Sequence, residues 1–348
     1  MMKDGMSRRG VLRGGAALAG GTAIGATTLG APARAARRTL RARRLKPGDT
    51  VRIVAPAGPV DSKVTRGQQI LEEMGLVVDY GKHVYDKHPS GFLAGADADR
   101  LADLNDALRD PKVRGIIGAR GGYGSQRIID DIDLKAVRAD PKIFVGFSDL
   151  TAVHNRLLRA TGLISFCGPM AVWVDTRLGP DSAAALKAAL MTTDDIVLTR
   201  DPAETSAAVK ITGRKGSTAH GPLIGGNLTM MDEDLATDGA ARLDGAILLL
   251  EETGESPYKY DRMLTHLRRS GALNGIAGVA LGQFTNSDGT PAPAIVADVV
   301  TERLQGLGVP VLGGLRIGHG KGQLTVPIGA AATIDVEAGT LTVEAGVG

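Results

Sequence analysis

The 348-residue chain has one cysteine, one tryptophan and only 3% aromatic residues. A lone Cys167 excludes an intrachain disulfide and a cysteine-based zinc site. It follows Ile164, Ser165 and Phe166 in what reads as an apolar strand, so a small buried hydrophobe is its expected role. Scarce aromatics argue against a base-stacking nucleic-acid site. No repeat at a solenoid period is visible, and no Gly-Lys-Ser/Thr sequence occurs, which excludes a P-loop. Net charge is small as well, +3 for the whole chain. Residues 1–35 hold Lys3, Arg8, Arg9, Arg13 and Arg34 against Asp4, so the remainder comes to −1. The basic character belongs mainly to the N-terminus and is no nucleic-acid footprint. A remaining basic run, Arg37, Arg38, Arg41, Arg43 and Arg44, reads as a solvated arm.

The N-terminus reads as a targeting segment. Paired Arg8 and Arg9 precede the weakly apolar, Gly- and Ala-rich run 14–29, and Ala33-Arg34-Ala35 fits a small-x-small cleavage site. This pattern is similar to a twin-arginine signal peptide, cleaved near Ala35, and predicts an exported protein. No later stretch reaches about 18 consecutive apolar residues, so no stable membrane insertion is expected after cleavage.

The mature chain begins with alternating strand and helix signals. Thr50–Ala55, Leu76–Tyr80, Gly115–Gly118 and Ile143–Phe147 read as strands. A helix capped by Asp61 runs to Met74, another spans Asp97–Arg109 with Leu101, Leu104 and Leu108 on one face, and Leu150–Ala160 is a third. Such alternation predicts a mostly parallel sheet covered by helices. Residues 176–210 look like a connection that carries a helix over Ser182–Met191. Beyond it, Ala246–Leu250 reads as a strand, Pro257–Arg269 and Ala292–Leu307 as helices, and Ala332–Val336 with Thr340–Glu344 as a hairpin. The expected organisation is α/β throughout: a Rossmann-like parallel-sheet domain at 46–175, then a more β-rich α/β domain at 211–348.

Three segments carry candidate chemistry. In Gly146-Phe147-Ser148-Asp149-Leu150, a serine follows a buried strand and opens a helix, at the sheet edge where open α/β folds bind ligands. This is the placement of a nucleophile elbow, although Leu150 stands where a second glycine would complete Gly-x-Ser-x-Gly; a helix cap is the alternative. Arg120-Gly121-Gly122-Tyr123-Gly124-Ser125 is a Gly-rich loop after a strand. It suits a phosphate, a close backbone approach to a reacting carbonyl, or a plain tight turn. A serine nucleophile needs a base, and the base an orienting acid. Among six histidines, His319 stands out between Gly318 and Gly320, where the backbone turns freely. His154 is predicted to point away from Ser148. Glu251 ends an apolar strand, and Glu252 alternates to its other face.

Taken in order, these segments resemble the LD-carboxypeptidase family of serine peptidases, over nearly all of the mature chain. The resemblance runs from Lys46-Pro47-Gly48-Asp49 and Val54-Ala55-Pro56-Ala57-Gly58 through Phe92-Leu93-Ala94-Gly95, Asp99-Arg100 and Asp103-Leu104-Asn105 to the two glycine-flanked motifs above. It continues through Gly168-Pro169-Met170, Gly225-Gly226-Asn227-Leu228, Leu250-Glu251-Glu252, Pro257-Tyr258 with Asp261-Arg262, and Gly318-His319-Gly320. It implies Ser148 as nucleophile, His319 as general base and Glu251 as the group orienting the imidazole. Backbone N–H groups of Gly122 and Asp149 would form the oxyanion hole, and Gly121, Tyr123, Asn227 and Glu252 a substrate pocket. No metal and no cofactor are implied, and a homodimer is. One departure is Cys167, where the family often has His.

The implied reaction releases a terminal D-alanine from a murein tetrapeptide by hydrolysis of an L,D amide. A second reading with the same chemistry is similarity to the microcin C immunity peptidases, which cleave aminoacyl–nucleotide conjugates; that reading calls for an aromatic stacking contact. A third is an exported solute-binding protein, which needs no aligned serine, histidine and glutamate. No nucleic-acid partner is expected.

Overall fold

A computed structural model describes residues 39–348, apart from 61–63 and 176. The leader and the Asp61 cap lie outside the described residues. The first half runs β1 (Thr50–Val54), α1 (Thr65–Glu73), β2 (Val77–Tyr80), α2 (Asp97–Arg109), β3 (Val113–Gly118), α3 (Leu134–Ala139), β4 (Ile143–Gly146), α4 (Thr151–Thr161) and β5 (Ser165–Cys167). There follow α5 (Pro180–Met191), β6 (Ile196–Thr199), β7 (Lys210–Ile211), β8 (Thr218–Asn227), α6 (Leu228–Glu233), β9 (Ile247–Thr253), α7 (Pro257–Arg269) and β10 (Gly278–Thr285). The chain ends with α8 (Ala294–Gln305), β11 (Val311–Leu312), β12 (Val326–Ile328), β13 (Ala331–Asp335) and β14 (Thr340–Val343).

The expected α/β architecture is present. One sheet has the order β12-β5-β4-β3-β1-β2, and every neighbouring pair from β5 to β2 is parallel. Strands β3 and β4 are almost entirely buried apolar residues, as a parallel sheet covered on both faces requires. The second sheet has the order β6-β14-β13-β8-β9-β10-β11-β7, parallel from β8 to β11 and antiparallel outside that centre. The 180–191 helix packs Leu186, Ala189 and Leu190 onto the first sheet's core, beside Val51, Ile53 and Ile143. After β11 the chain leaves the second sheet, and β12 pairs antiparallel with β5 of the first. The segment 313–325, which carries His319, is thus stretched between the two sheets.

Two central strands escaped the sequence reading. Strand β10 is buried at every position, so it shows no apolar–polar alternation, and Gly278 and Gly282 interrupt its apolar run. Strand β8 contains Gly221, Pro222, Gly225 and Gly226, which read as turn residues. Strand β9 also runs further than expected, to Thr253, so Glu251 and Glu252 lie inside it.

His154 points away from Ser148, as its place in α4 predicts, and ties three elements together. It is 1% exposed. Its Nε2–H donates to the Gly146 carbonyl (2.9 Å), so Nδ1 accepts from the Ser165 hydroxyl (2.7 Å). The Phe144 ring meets it edge-on. Burial pulls the imidazole down to about 4 from its ordinary 6.5, against the opposing pull of the Gly146 carbonyl. Between those values the unfolded chain takes up a proton that the folded chain refuses, so stability falls as pH drops through this window. The expected loss between pH 7 and pH 4.5 is ~2–3 kcal/mol from this residue. Urea unfolding at both pH values measures it. His154→Gln should be less stable at pH 7 yet lose less on acidification.

Candidate active site

Ser148 sits where β4 ends and a single 3-10 turn, Ser148–Leu150, leads into α4. Its φ is 61°, in the left-handed region that side chains other than glycine seldom enter. Only Ala236 shares that property among the described non-glycine residues. Its side chain caps no helix: neither the turn nor α4 takes a side-chain hydrogen bond at its N-terminus. Leu150, which stands in place of an expected glycine, fills space left by two real ones. A Cβ at Gly146 would come within 2.6 Å of Leu150 Cδ1, and one at Gly118 within 2.4 Å. The turn is therefore packed from below, and a strained backbone persists only when its surroundings hold it.

The Gly-rich loop closes over this turn. A Cβ at Gly121 would stand 3.0 Å from Ser148 Cβ, 3.1 Å from its Oγ and 3.6 Å from the Asp149 amide nitrogen, so the backbone there touches the serine directly. Two buried groups hold the loop in place. The Asp149 carboxylate accepts from Ser125 N–H (2.8 Å), and the Ser125 hydroxyl donates to the Asp149 carbonyl (2.7 Å). Burial pushes the Asp149 carboxyl up, and the N–H groups of Ser125 and Gly124 oppose this. Arg100, 1% exposed, donates to the Gly124 carbonyl (2.9 Å) and to the Pro56 carbonyl. Sequence reasoning missed this supporting role of Arg100. A signal existed, because Arg100 falls four residues before Leu104 and eight before Leu108, on the apolar stripe of α2.

Glu251 is fully buried in β9, and its Oε2 lies 2.6 Å from His319 Nδ1. A carboxylate only accepts, so Nδ1 carries a proton, and in the neutral imidazole Nε2 is the nitrogen with the lone pair. Glycine is needed at 318 because this pair leaves no room, and at 320 because a Cβ there would lie 2.6 Å from Gln283 Nε2. A Cβ at Gly318 would lie 2.7 Å from Glu251 Oε2, at a φ of 125°. On the other side, Gly320 N–H donates to Gln283 Oε1 (2.9 Å), while Gln283 Nε2 donates to Glu204 (2.8 Å) and to the Lys321 carbonyl (2.9 Å). Gln283 lies in the overlooked β10, so sequence reasoning missed it. The Phe147 ring packs 4.7 Å from the His319 ring, centroid to centroid.

Ser148, His319, Gly121 and Gly122 line one cavity of about 340 Å³. Its other walls include Arg120, Met170, Val172, Val174, Arg177, Leu178, Ser287 and Gln323. Of the four residues expected in a substrate pocket, Gly121 alone is on this wall. Tyr123 is 45% exposed and packs edge-on against Phe92. Asn227 and Glu252 are buried and bound to each other (2.9 Å), and Glu252 also accepts from Thr229 N–H (2.7 Å) and Thr253 N–H (2.8 Å). Burial and the adjacent Glu251 push the Glu252 carboxyl up. These two residues anchor α6, whose N-cap is Asn227, and do not reach the cavity because β8 and β9 aim them into packed protein. Cys167 is a buried member of β5, its thiol pushed up by burial, as its apolar setting predicts. Three other histidines pair away from the cavity: His83 with Asp86, His220 with Thr333 and His266 with Asp232.

A strained serine, an imidazole with a free Nε2 and a buried carboxylate, meeting around glycine amides, are the parts of an acyl-transfer site. Comparison with known proteins gives the class. Residues 51–168 match the LD-carboxypeptidase N-terminal domain, and residues 220–334 match the LD-carboxypeptidase C-terminal domain. A Bacillus subtilis relative named "Probable murein peptide carboxypeptidase" is 36% identical over 306 residues, covering 87% of this chain and 94% of that protein. The chain belongs to the LD-carboxypeptidase family and is a peptidase. Muramoyltetrapeptide carboxypeptidase from Oxalobacter formigenes superposes with a TM-score of 0.71 at 28% identity, covering 85% of this chain and 98% of that one. The Microcin C7 self immunity protein MccF shares the fold, with a TM-score of 0.76 at 23% identity over 88% of this chain and 98% of that one.

The contact between Gly121 and Ser148 yields a direct test. In Gly121→Ala the new methyl should displace the hydroxyl or the loop and slow fluorophosphonate labelling of Ser148 by ~100-fold, the scale of losing one aligned backbone donor. The rate is read by intact-protein mass spectrometry. Urea unfolding should shift by no more than ~1–3 kcal/mol, the usual cost of overpacking.

Proposed function

We propose that this protein is a serine-type LD-carboxypeptidase that releases a terminal D-amino acid, D-alanine, from a murein tetrapeptide. The observation that carries the reading is the buried Glu251–His319 hydrogen bond, opening onto the same cavity as Ser148. In the first half-reaction Ser148 Oγ attacks the scissile carbonyl carbon, and His319 Nε2 takes the hydroxyl proton. The amide C–N bond breaks, and His319 returns that proton to the leaving amine. Water then attacks the acyl-serine ester with His319 again as base, and Ser148 recovers its proton. Glu251 holds the imidazole in the required tautomer and stabilises its charged form. The N–H groups of Gly122 and Asp149 serve the developing oxyanion. The names of the Bacillus and Oxalobacter relatives support a murein peptide as substrate. The arginine pair and small-residue cleavage site at 8–35 support action outside the cytoplasmic membrane.

The aminoacyl–nucleotide reading ranks second. The aromatic ring on the cavity wall, Phe147, is already packed against His319, and Trp173 packs against the first sheet's core. Ser148→Ala should lower release of D-alanine from the tetrapeptide by ~10⁴-fold or more, as expected when one member of a catalytic unit is lost. Retained turnover in that variant, followed by chromatography of the free amino acid, would sink the mechanism. Offering wild type an aminoacyl nucleotide beside the tetrapeptide ranks the two substrates.

A further inference from the structure

One wall of the cavity holds a guanidinium, that of Arg177. Arg177 is half-buried, and no carboxylate pairs with it among the described residues. Its guanidinium donates to the His319 carbonyl at 3.2 Å. Its backbone carbonyl accepts from Gly322 N–H (2.7 Å), which fixes the residue against the histidine loop at both ends. Beside it, Gln323 is 1% exposed and lines the same cavity, yet its Nε2 has no acceptor. A buried amide donor left without a partner costs free energy unless something supplies the acceptor. Met170, Val172, Val174 and Leu178 complete an apolar wall around these two polar groups.

Geometry assigns this end of the cavity to one side of the scissile bond. The residue that protonates the leaving amine must lie on the leaving-group side. In a C-terminal residue, the carboxylate carbon is only about 2.5 Å from that amine nitrogen, two covalent bonds away. An anion-binding group for it must therefore stand within about one residue of the imidazole. Arg177, hydrogen-bonded to the histidine's own carbonyl, does so. The other cavity arginine, Arg120, is exposed and donates to the Pro59 carbonyl (2.9 Å) on the Gly-loop side.

We propose that Arg177 binds the terminal carboxylate of the leaving D-amino acid, with the Gln323 amide as a second donor to the same group. The apolar wall takes its small side chain. This pair confines the enzyme to the last residue of a peptide, because a continuing chain would present a neutral amide to the guanidinium. The inference rests on the acyl-transfer reading above.

The test compares a tetrapeptide with its C-terminal amide, whose leaving group is D-alaninamide, on wild type, Arg177→Gln, Arg177→Lys and Gln323→Leu. Wild type should prefer the acid in kcat/KM by about 100-fold, within the range of charge-assisted hydrogen bonds. Arg177→Gln should bring the ratio near one, mainly through a higher KM for the acid. Arg177→Lys should retain part of the preference, and Gln323→Leu should lower it by about 10-fold. Turnover of the amide by each variant serves as the folding control. A wild-type ratio near one overturns the proposal, as does an equal fall on both substrates in Arg177→Gln, which would leave Arg177 merely supporting the His319 loop. Wild type that releases neither D-alanine nor D-alaninamide overturns the substrate reading itself, and the proposal with it.

Discussion

The hydrogen bond from His319 Nδ1 to the buried Glu251 carboxylate is the constraint on which the rest of the site depends. A carboxylate at zero exposure is costly in apolar surroundings unless it is well bonded. The bond is short, 2.6 Å, and it fixes which ring nitrogen carries the proton. It also fixes the path of the chain. The segment bearing His319 begins at the end of β11 in one sheet and must reach β12 in the other. It can do so only by passing Glu251 with glycine at 318, since a side chain there would strike the carboxylate. Pairing of β12 with β5 then brings the imidazole to the end of β4, where Ser148 waits.

The serine side of the cavity is stabilised by different physics. Ser148 holds an unfavourable φ, and such strain costs on the order of 1–3 kcal/mol. It is offset by packing and by buried polar bonds. Leu150 fills the hollow beneath the turn, Asp149 ties the turn to the Gly-rich loop through Ser125, and Arg100 ties that loop to the 55–58 segment. His154 adds a fourth tie, from α4 to the last carbonyl of β4. None of these groups lines the cavity, yet each limits where the hydroxyl can be. The requirement for such limits explains why so many polar side chains are buried close to this one turn. Glu252 and Asn227 do the same for α6 on the far face of β9.

Much of this was legible in the chain. The strand-to-helix turn at Ser148, the glycines around His319 and the apolar run before Glu251 are local patterns, because each reflects what one short segment must do to form an element or a turn. The helix expected over Asp97–Arg109 has those bounds in the structure, and the terminal hairpin is present. Strands β8 and β10 were not legible, since a strand buried on both faces, or one rich in glycine, lacks the alternation that marks strands. With β10 went Gln283, the residue that holds Gly320.

The sequence by itself determined the parts: a serine at a strand-to-helix turn, a histidine between glycines, a glutamate after an apolar run, and a glycine-rich loop. The return of β12 to the first sheet, the meeting of Ser148 with His319 in one cavity, and the difference between Glu251 and Glu252 were decided only by the tertiary structure. Glu251 and Glu252 are consecutive, identical in chemistry and both buried. They differ because a strand turns successive side chains to opposite faces. One face of β9 meets a histidine on a crossing loop, and the other meets the amide and N-terminal N–H groups of α6. Which partner lies on which face is set by contacts between segments far apart in the chain, and local pattern carries no record of those.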